Sequence, residues 1–169
     1  NLLCGWDLGL SGVKVERQIH TQESGKEEHI FVPFGLHKVG DTNHALMFKH
    51  ESSGTQGAYL LLSRILPILN NGGLAIIDEL EADLHPHMLN PILDLFFSPK
   101  TNPKNAQIIF TCHSVEVLSL LHKSQVVLVE KNQDCMSDAW RLDSMKGVRA
   151  DDNLYAKYMA GAYGAIPQV

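Results

Sequence analysis

The run Leu74-Ala-Ile-Ile77 is short, continuously apolar, and stops abruptly at two acids, Asp78 and Glu79. A run of that length reads as a buried strand, of the kind found where helices cover both faces of a parallel sheet. Ligands of open α/β sheets collect at the carboxyl ends of the strands, which is where this pair falls. Two adjacent carboxylates there repel each other, and the arrangement calls for a compensating cation or a proton-transfer role. A hard cation such as Mg²⁺ is commonly held through one carboxylate, several waters and substrate phosphates, leaving the second acid to orient or deprotonate a water. The plainer reading is that Asp-Glu ends a strand and opens the next turn.

The surroundings of this run alternate helix and strand. Upstream, Leu62, Ile65, Leu66 and Leu69 share a helical stripe, Asn70-Asn-Gly-Gly73 supplies a stop, and Pro67 is expected to kink or shorten the helix. Downstream, Leu89, Ile92, Leu93, Phe96 and Phe97 define a second stripe whose start is expected near residue 88, after Pro86. Gln107-Ile-Ile-Phe-Thr111 and Gln125-Val-Val-Leu-Val-Glu130 read as further strands, Val115 to Leu121 as a short helix, Ala139 to Leu142 as an edge strand, and 151–160 as helical. Residues 1–50 are β-rich, with strands at Val13-Lys-Val-Glu, at Ile30-Phe-Val-Pro-Phe-Gly, where Pro33 is expected to interrupt the run, and at Ala45-Leu-Met-Phe-Lys, and a polar loop TQESGKEEH. The expected fold is α/β, a mostly parallel sheet flanked by helices, with a β-rich segment over 1–50 ahead of it.

Two more local signals carry chemistry. Glu51-Ser-Ser-Gly-Thr-Gln-Gly57 opens the first of these helices. Its hydroxyls serve as helix caps, or its free N–H groups and the positive helix end receive an anion, above all a phosphate. His113 follows the strand QIIFT and projects from the same rim as Asp78, where an imidazole can donate to a phosphate oxygen or stand simply as a satisfied polar residue.

Charge and composition exclude some roles. The 169 residues carry a net charge of -5, so no global basic field draws nucleic acid or anionic lipid, although a local patch could; Lys100, Lys104, Lys123, Lys131 and Lys146 could face nucleic acid, and read equally as surface lysines. The three cysteines form no CxxC pair and indicate reduced thiols. No apolar run reaches the length of a membrane span, so the expected location is the cytoplasm. Trp140 and Tyr163 are expected to pack in a core. His85-Pro-His87 beside Glu81 and Asp83 suggests a metal cluster only weakly, because the intervening proline disrupts the single-face spacing that such ligands favour.

Taken in order, a Ser/Gly turn on a helix, an apolar strand ending in Asp-Glu and a strand ending in Thr-x-His resemble the C-terminal part of the ATP-binding domain of ABC and SMC ATPases. Within that class the chain is similar to the bacterial RloA and AbiL type, associated with restriction loci and abortive phage infection, through ESSGTQ, DELEADLHP, NPKNAQIIFTCH and AYGAIP. The likeness runs from about residue 45 to the end, making 51–169 the C-terminal half of such a domain. It implies a P-loop NTPase fold, ATP and Mg²⁺ as ligands, and a head-to-head homodimer that sandwiches two nucleotides. Ser53, Gly54, Thr55 and Gln56 would form the signature that meets the partner's ATP, with Thr55 leaving less room for phosphate than the usual glycine. Asp78 would hold Mg²⁺ through water, Glu79 would be the general base, and His113 would sense the γ-phosphate. Asp83 would lie in the D-loop, residues 81–85. A separately encoded, nuclease-like effector is the implied partner.

No GxxxxGK[ST] occurs in the chain, so the loop that cradles the β- and γ-phosphates is missing. The expectation is that it lies upstream in a longer protein, where ATP is hydrolysed, and that these residues alone are inactive. Two alternatives stand beside this: a metal-dependent phosphohydrolase or nuclease built on Asp78, Glu79, Glu81, Asp83, His85 and His87, and a non-catalytic interaction lobe.

Overall fold

The computed structural model describes residues 2–21 and 25–166. The chain forms two compact units, Asn1–Phe110 and Thr111–Val169. The division falls inside the 51–169 stretch expected to act as one half-domain.

The first unit begins with an antiparallel sheet of β1 (Gly12–Thr21), β2 (Glu27–Val39) and β3 (Thr42–Met47), in that order. Residues expected in the loop TQESGKEEH extend the strands instead, with His20 opposite Glu28 and Thr21 opposite Glu27; Gln22, Glu23 and Ser24 lie outside the described residues. Pro33 does not interrupt β2. Pairing with β3 starts only at Phe34, so the proline's missing N–H costs no bond to that strand.

Helix α1 (Ser53–Asn71) buries Thr55, Ala58, Leu62, Ile65 and Leu69 on one side. Leu66 lies on the rim of that stripe and is exposed. Pro67 does not shorten the helix: it and Ser63, whose carbonyl loses its helical donor, both face solvent, where water can take the bond. Gly72 ends α1 in the left-handed region (φ 76°), its N–H bonding the Ile68 carbonyl at 2.9 Å. A methyl group at Gly72 would lie 2.9 Å from both the Cβ and the carbonyl oxygen of Lys104. Gly72→Ala is therefore expected to cost about 1–2 kcal/mol, from the left-handed backbone and the crowding together, read as a lower urea midpoint.

Strand β4 (Leu74–Ile77) pairs in parallel with β5 (Gln107–Phe110), and α2 (Leu89–Phe97) connects them after a 3-10 turn at Pro86–Met88. The turn confirms the expected start of the helix near 88. Leu89, Ile92, Leu93 and Phe96 are buried as the stripe predicts, but Leu95 is buried in place of Phe97, which is exposed. The loop between α2 and β5 is braced by buried Asn102. Its Nδ2 donates to the carbonyls of Phe96 and Ala106, each at 2.8 Å, and its Oδ1 accepts from the Ala106 N–H at 2.6 Å.

The expectation of helices on both faces of this sheet is corrected. Ala75 is buried and Ile77, Ile108 and Phe110 partly so, but the opposite face is bare: Ile76 is 75% exposed, Ile109 58% and Leu74 47%.

The second unit holds an antiparallel pair, β6 (Val127–Lys131) and β7 (Ser137–Arg141). Here too the expectation of one mostly parallel sheet is corrected, since among the described residues only β4 and β5 run parallel. A short turn at Asn132–Cys135, closed by the Cys135 N–H on the Asn132 carbonyl, lets β7 fold back on β6. The helix expected over Val115 to Leu121 is a 3-10 turn, Val115–Ser119, and that over 151–160 is a six-residue α3 (Leu154–Met159) capped by the Asn153 side chain. Leu118, Val126, Leu128, Leu142, Leu154 and Tyr163 form the core, with Trp140 packed against it. The tail AYGAIP contributes Tyr163 and a bond from the Ala165 N–H to the Glu130 carboxylate at 2.8 Å; Pro167 lies outside the described residues. Burial raises the Tyr163 hydroxyl above its ordinary range. Among the described residues no helix is long and apolar enough to cross a membrane.

Candidate functional site

The register of β4 and β5 places Ile77 opposite Phe110, so the two strands end level. Asp78 and Glu79 follow β4 directly and both are exposed. Glu79 has φ 50° and Asp83 φ 59°, a region that a side chain with a Cβ enters at a cost of about 1 kcal/mol or more. Asp tolerates it better than Glu, so the strain at Glu79 is the more informative, and such strain gathers where surroundings hold a residue in one orientation. Two tight turns follow: the Ala82 N–H bonds the Glu79 carbonyl and the Leu84 N–H the Glu81 carbonyl, each at 2.9 Å. Leu80, inside the first turn, is buried and anchors the segment.

The ESSGTQ turn is a cap, but Ser52 supplies it. Its Oγ accepts from the Thr55 N–H at 3.2 Å, and its backbone carbonyl accepts from Gln56 N–H at 3.0 Å. Ser53 is the first helical residue and faces solvent. Thr55 turns inward, buried, its hydroxyl 2.9 Å from that of Ser52. The Gln56 side chain folds back to donate to the Glu51 carbonyl at 2.8 Å. Of the four signature candidates, then, Ser53 presents its side chain to solvent, Gly54 is partly covered, and Thr55 and Gln56 build the turn itself.

Gly54 and Gly57 bring this turn against the 81–85 segment. A methyl group at Gly54 would stand 3.2 Å from the Asp83 carbonyl oxygen, and one at Gly57 3.6 Å from the Asp83 Cβ. The helix start that carries Ser53 thus packs directly on the turn that carries Asp83, an encounter across some thirty residues that no local pattern announces. Helix geometry leaves the first N–H groups of α1 without intrahelical partners, and Ser52 satisfies one of them.

His113 lies three residues past the end of β5, in the second unit, and is exposed. Beside it Ser114 donates its hydroxyl to Glu116 at 2.6 Å, a bond that, with a backbone contribution, holds the Glu116 carboxyl below its ordinary range.

His85 and His87 meet edge to face with centroids 5.1 Å apart, and His85 Nδ1 accepts from the His87 N–H. Among the described residues no three His, Cys, Asp or Glu side chains converge closely enough to hold a metal ion by themselves. Asp78 and Glu79 suit instead a hydrated cation that brings most of its ligands as water and phosphate. The capping expected of the turn's hydroxyls falls to Ser52. Sequence reasoning missed Glu51 and Asn102: Glu51 opens the turn and Asn102 stands among turn formers, but neither has a spacing that sets it apart from its neighbours.

No curated protein matches the chain significantly. A family model described as "AAA domain, putative AbiEii toxin, Type IV TA system" matches residues 14–119, from β1 through β5 to the 3-10 turn beyond His113. With more than half of its length inside that match, the chain belongs to this family of AAA domains, of the P-loop ATPase class.

Proposed function

We propose that this chain is the signature and Walker B half of an ATPase of the RloA and AbiL type, completed by a P-loop segment outside these 169 residues. In the completed protein Asp78 holds Mg²⁺ through water, Glu79 is the general base for the attacking water, and His113 donates to the γ-phosphate. Ser53 and Gly54 meet the nucleotide of a second head, and Asp83 lies at the same junction. Closure of two heads on ATP then controls an effector, in phage defence, within the cytoplasm.

One observation carries the reading: the parallel pair β4–β5 ends in Asp78 and Glu79, yet leaves Leu74, Ile76 and Ile109 bare. Parallel sheets are stable when both faces are covered. A P-loop strand would pair at an edge of the β4–β5 sheet, and its helix would cover that apolar face and lay phosphate-binding N–H groups beside the acids, which is the part that the 169 residues lack. The nuclease alternative has no comparable support, since its candidate ligands do not converge among the described residues.

Mg-ATP is expected to leave the melting temperature of the 169-residue chain unchanged. Once a P-loop segment is supplied, nucleotide at about 100 times its Kd adds about 2.7 kcal/mol of apparent stability. Differential scanning fluorimetry of both forms makes the comparison. Tight Mg-ATP binding by the chain alone would overturn the division of labour proposed here.

A further inference from the structure

Glu51, the first residue of the ESSGTQ turn, points its carboxylate into the protein, with 7% of the side chain exposed. Its Oε1 lies 2.7 Å from Nε2 of His37 on β2, and the other ring nitrogen, Nδ1, lies 3.1 Å from the Gly9 carbonyl oxygen. A carbonyl oxygen only accepts, so Nδ1 carries a hydrogen. Gly35, two residues from His37 on the same strand, leaves the space that the carboxylate and Leu10 fill; a methyl group there would collide with both.

The same residue holds the start of α1 through its backbone. The Glu51 carbonyl accepts from Gln56 Nε2 at 2.8 Å, and its N–H donates to the Phe48 carbonyl at 3.0 Å. Side chain and main chain of one residue therefore join the antiparallel sheet to the turn that presents Ser53 and Gly54. The Ser52 cap orders the helix within itself, and Glu51 ties that order to β2 by a side-chain bond.

We infer that Glu51, gripped by His37, is the positioning residue of the signature turn, so that the placement of Ser53 and Gly54 depends on the N-terminal sheet. This rests on the reading above that the turn faces a phosphate. The grip makes the sheet a point of control: whatever displaces β2 loosens the phosphate-facing turn without touching Asp78 or Glu79.

Hydrogen exchange on the 169-residue chain tests the linkage without any nucleotide. His37→Ala, at the more exposed partner, and Glu51→Ala are each expected to speed exchange of the Thr55 and Gln56 amides roughly tenfold, as the loss of one part-buried bond to a carboxylate implies. Amides of β4 and β5 keep their protection. The double variant exchanges no faster than either single one, because both remove the same bond. Glu51→Gln restores protection, since its amide N–H donates to His37 Nε2 while Nδ1 keeps its hydrogen. Should Glu51→Ala not fold, His37→Ala decides. Unchanged exchange at Thr55 and Gln56, or an equal loss throughout the first unit, overturns the inference. In the P-loop-completed protein His37→Ala lowers kcat several-fold and leaves the KM for ATP unchanged; turnover equal to wild type overturns the functional half. A completed wild type without ATPase activity would instead count against the proposed function, and the exchange result would stand.

Discussion

Glu79→Gln in the P-loop-completed protein is expected to lower ATP turnover by about 10²- to 10⁴-fold while leaving nucleotide affinity within a few-fold of wild type. Gln matches Glu in shape but cannot take a proton, so the substitution isolates the proposed general-base role. The backbone argues that geometry will survive the change. Glu79 sits at φ 50° between the end of β4 and buried Leu80, and its carbonyl closes the first of two tight turns. Those constraints act on the main chain and are the same for Gln. Asp78→Asn, one residue earlier, is expected to behave differently, weakening the Mg²⁺ dependence of binding as well as turnover. Steady-state kcat and equilibrium titration with a fluorescent nucleotide separate the two. Undiminished hydrolysis by Glu79→Gln would remove Glu79 from the mechanism.

Asn102→Ala is expected to be the most destabilising substitution in the first unit outside its apolar core, by about 3–5 kcal/mol. Asn102 is buried, and its amide satisfies three backbone groups at once: the carbonyls of Phe96 and Ala106 and the N–H of Ala106. Alanine would leave them without partners, and each buried group so orphaned costs about 1–3 kcal/mol. The consequence reaches the candidate site because this loop delivers the chain from α2 into β5, whose end is level with that of β4. Asn102→Asp makes a sharper control. A carboxylate still accepts from the Ala106 N–H but cannot donate to either carbonyl, so most of the loss should persist. Urea denaturation followed by circular dichroism reads both variants, and a loss under 1 kcal/mol for Asn102→Ala would mean that water replaces the amide.

Periodicity located α1, β4, α2 and β5 well, because each is a local pattern of apolar residues bounded by a cap, a stop or a change of charge. It erred at the margins of the stripes. Leu66 and Phe97 lie on the rims of their helices, where a shift of one neighbour decides between core and solvent. Pro33 and Pro67 were read as breaks, yet both sit where the missing N–H costs little: beyond the reach of β3 in one case, on a solvent-facing turn in the other. The third apolar strand carried no information on its partner, and β6 pairs with β7 within the second unit.

The candidate site divides in the same way. Asp78, Glu79, Ser53, Gly54 and His113 could be named from type and position, since a strand end or helix start is a local event. The sequence by itself determined the chemical inventory: two acids closing an apolar strand, a capped helix with a left-handed glycine stop, and no P-loop. Only the tertiary structure decided which of these meet. Gly54 packs on the Asp83 carbonyl, the Glu51 carboxylate is held by His37, and Ile76 and Ile109 stand uncovered. Propensity and capping act over a few residues along the chain, whereas these encounters join residues fourteen or more positions apart and depend on how the elements between them close.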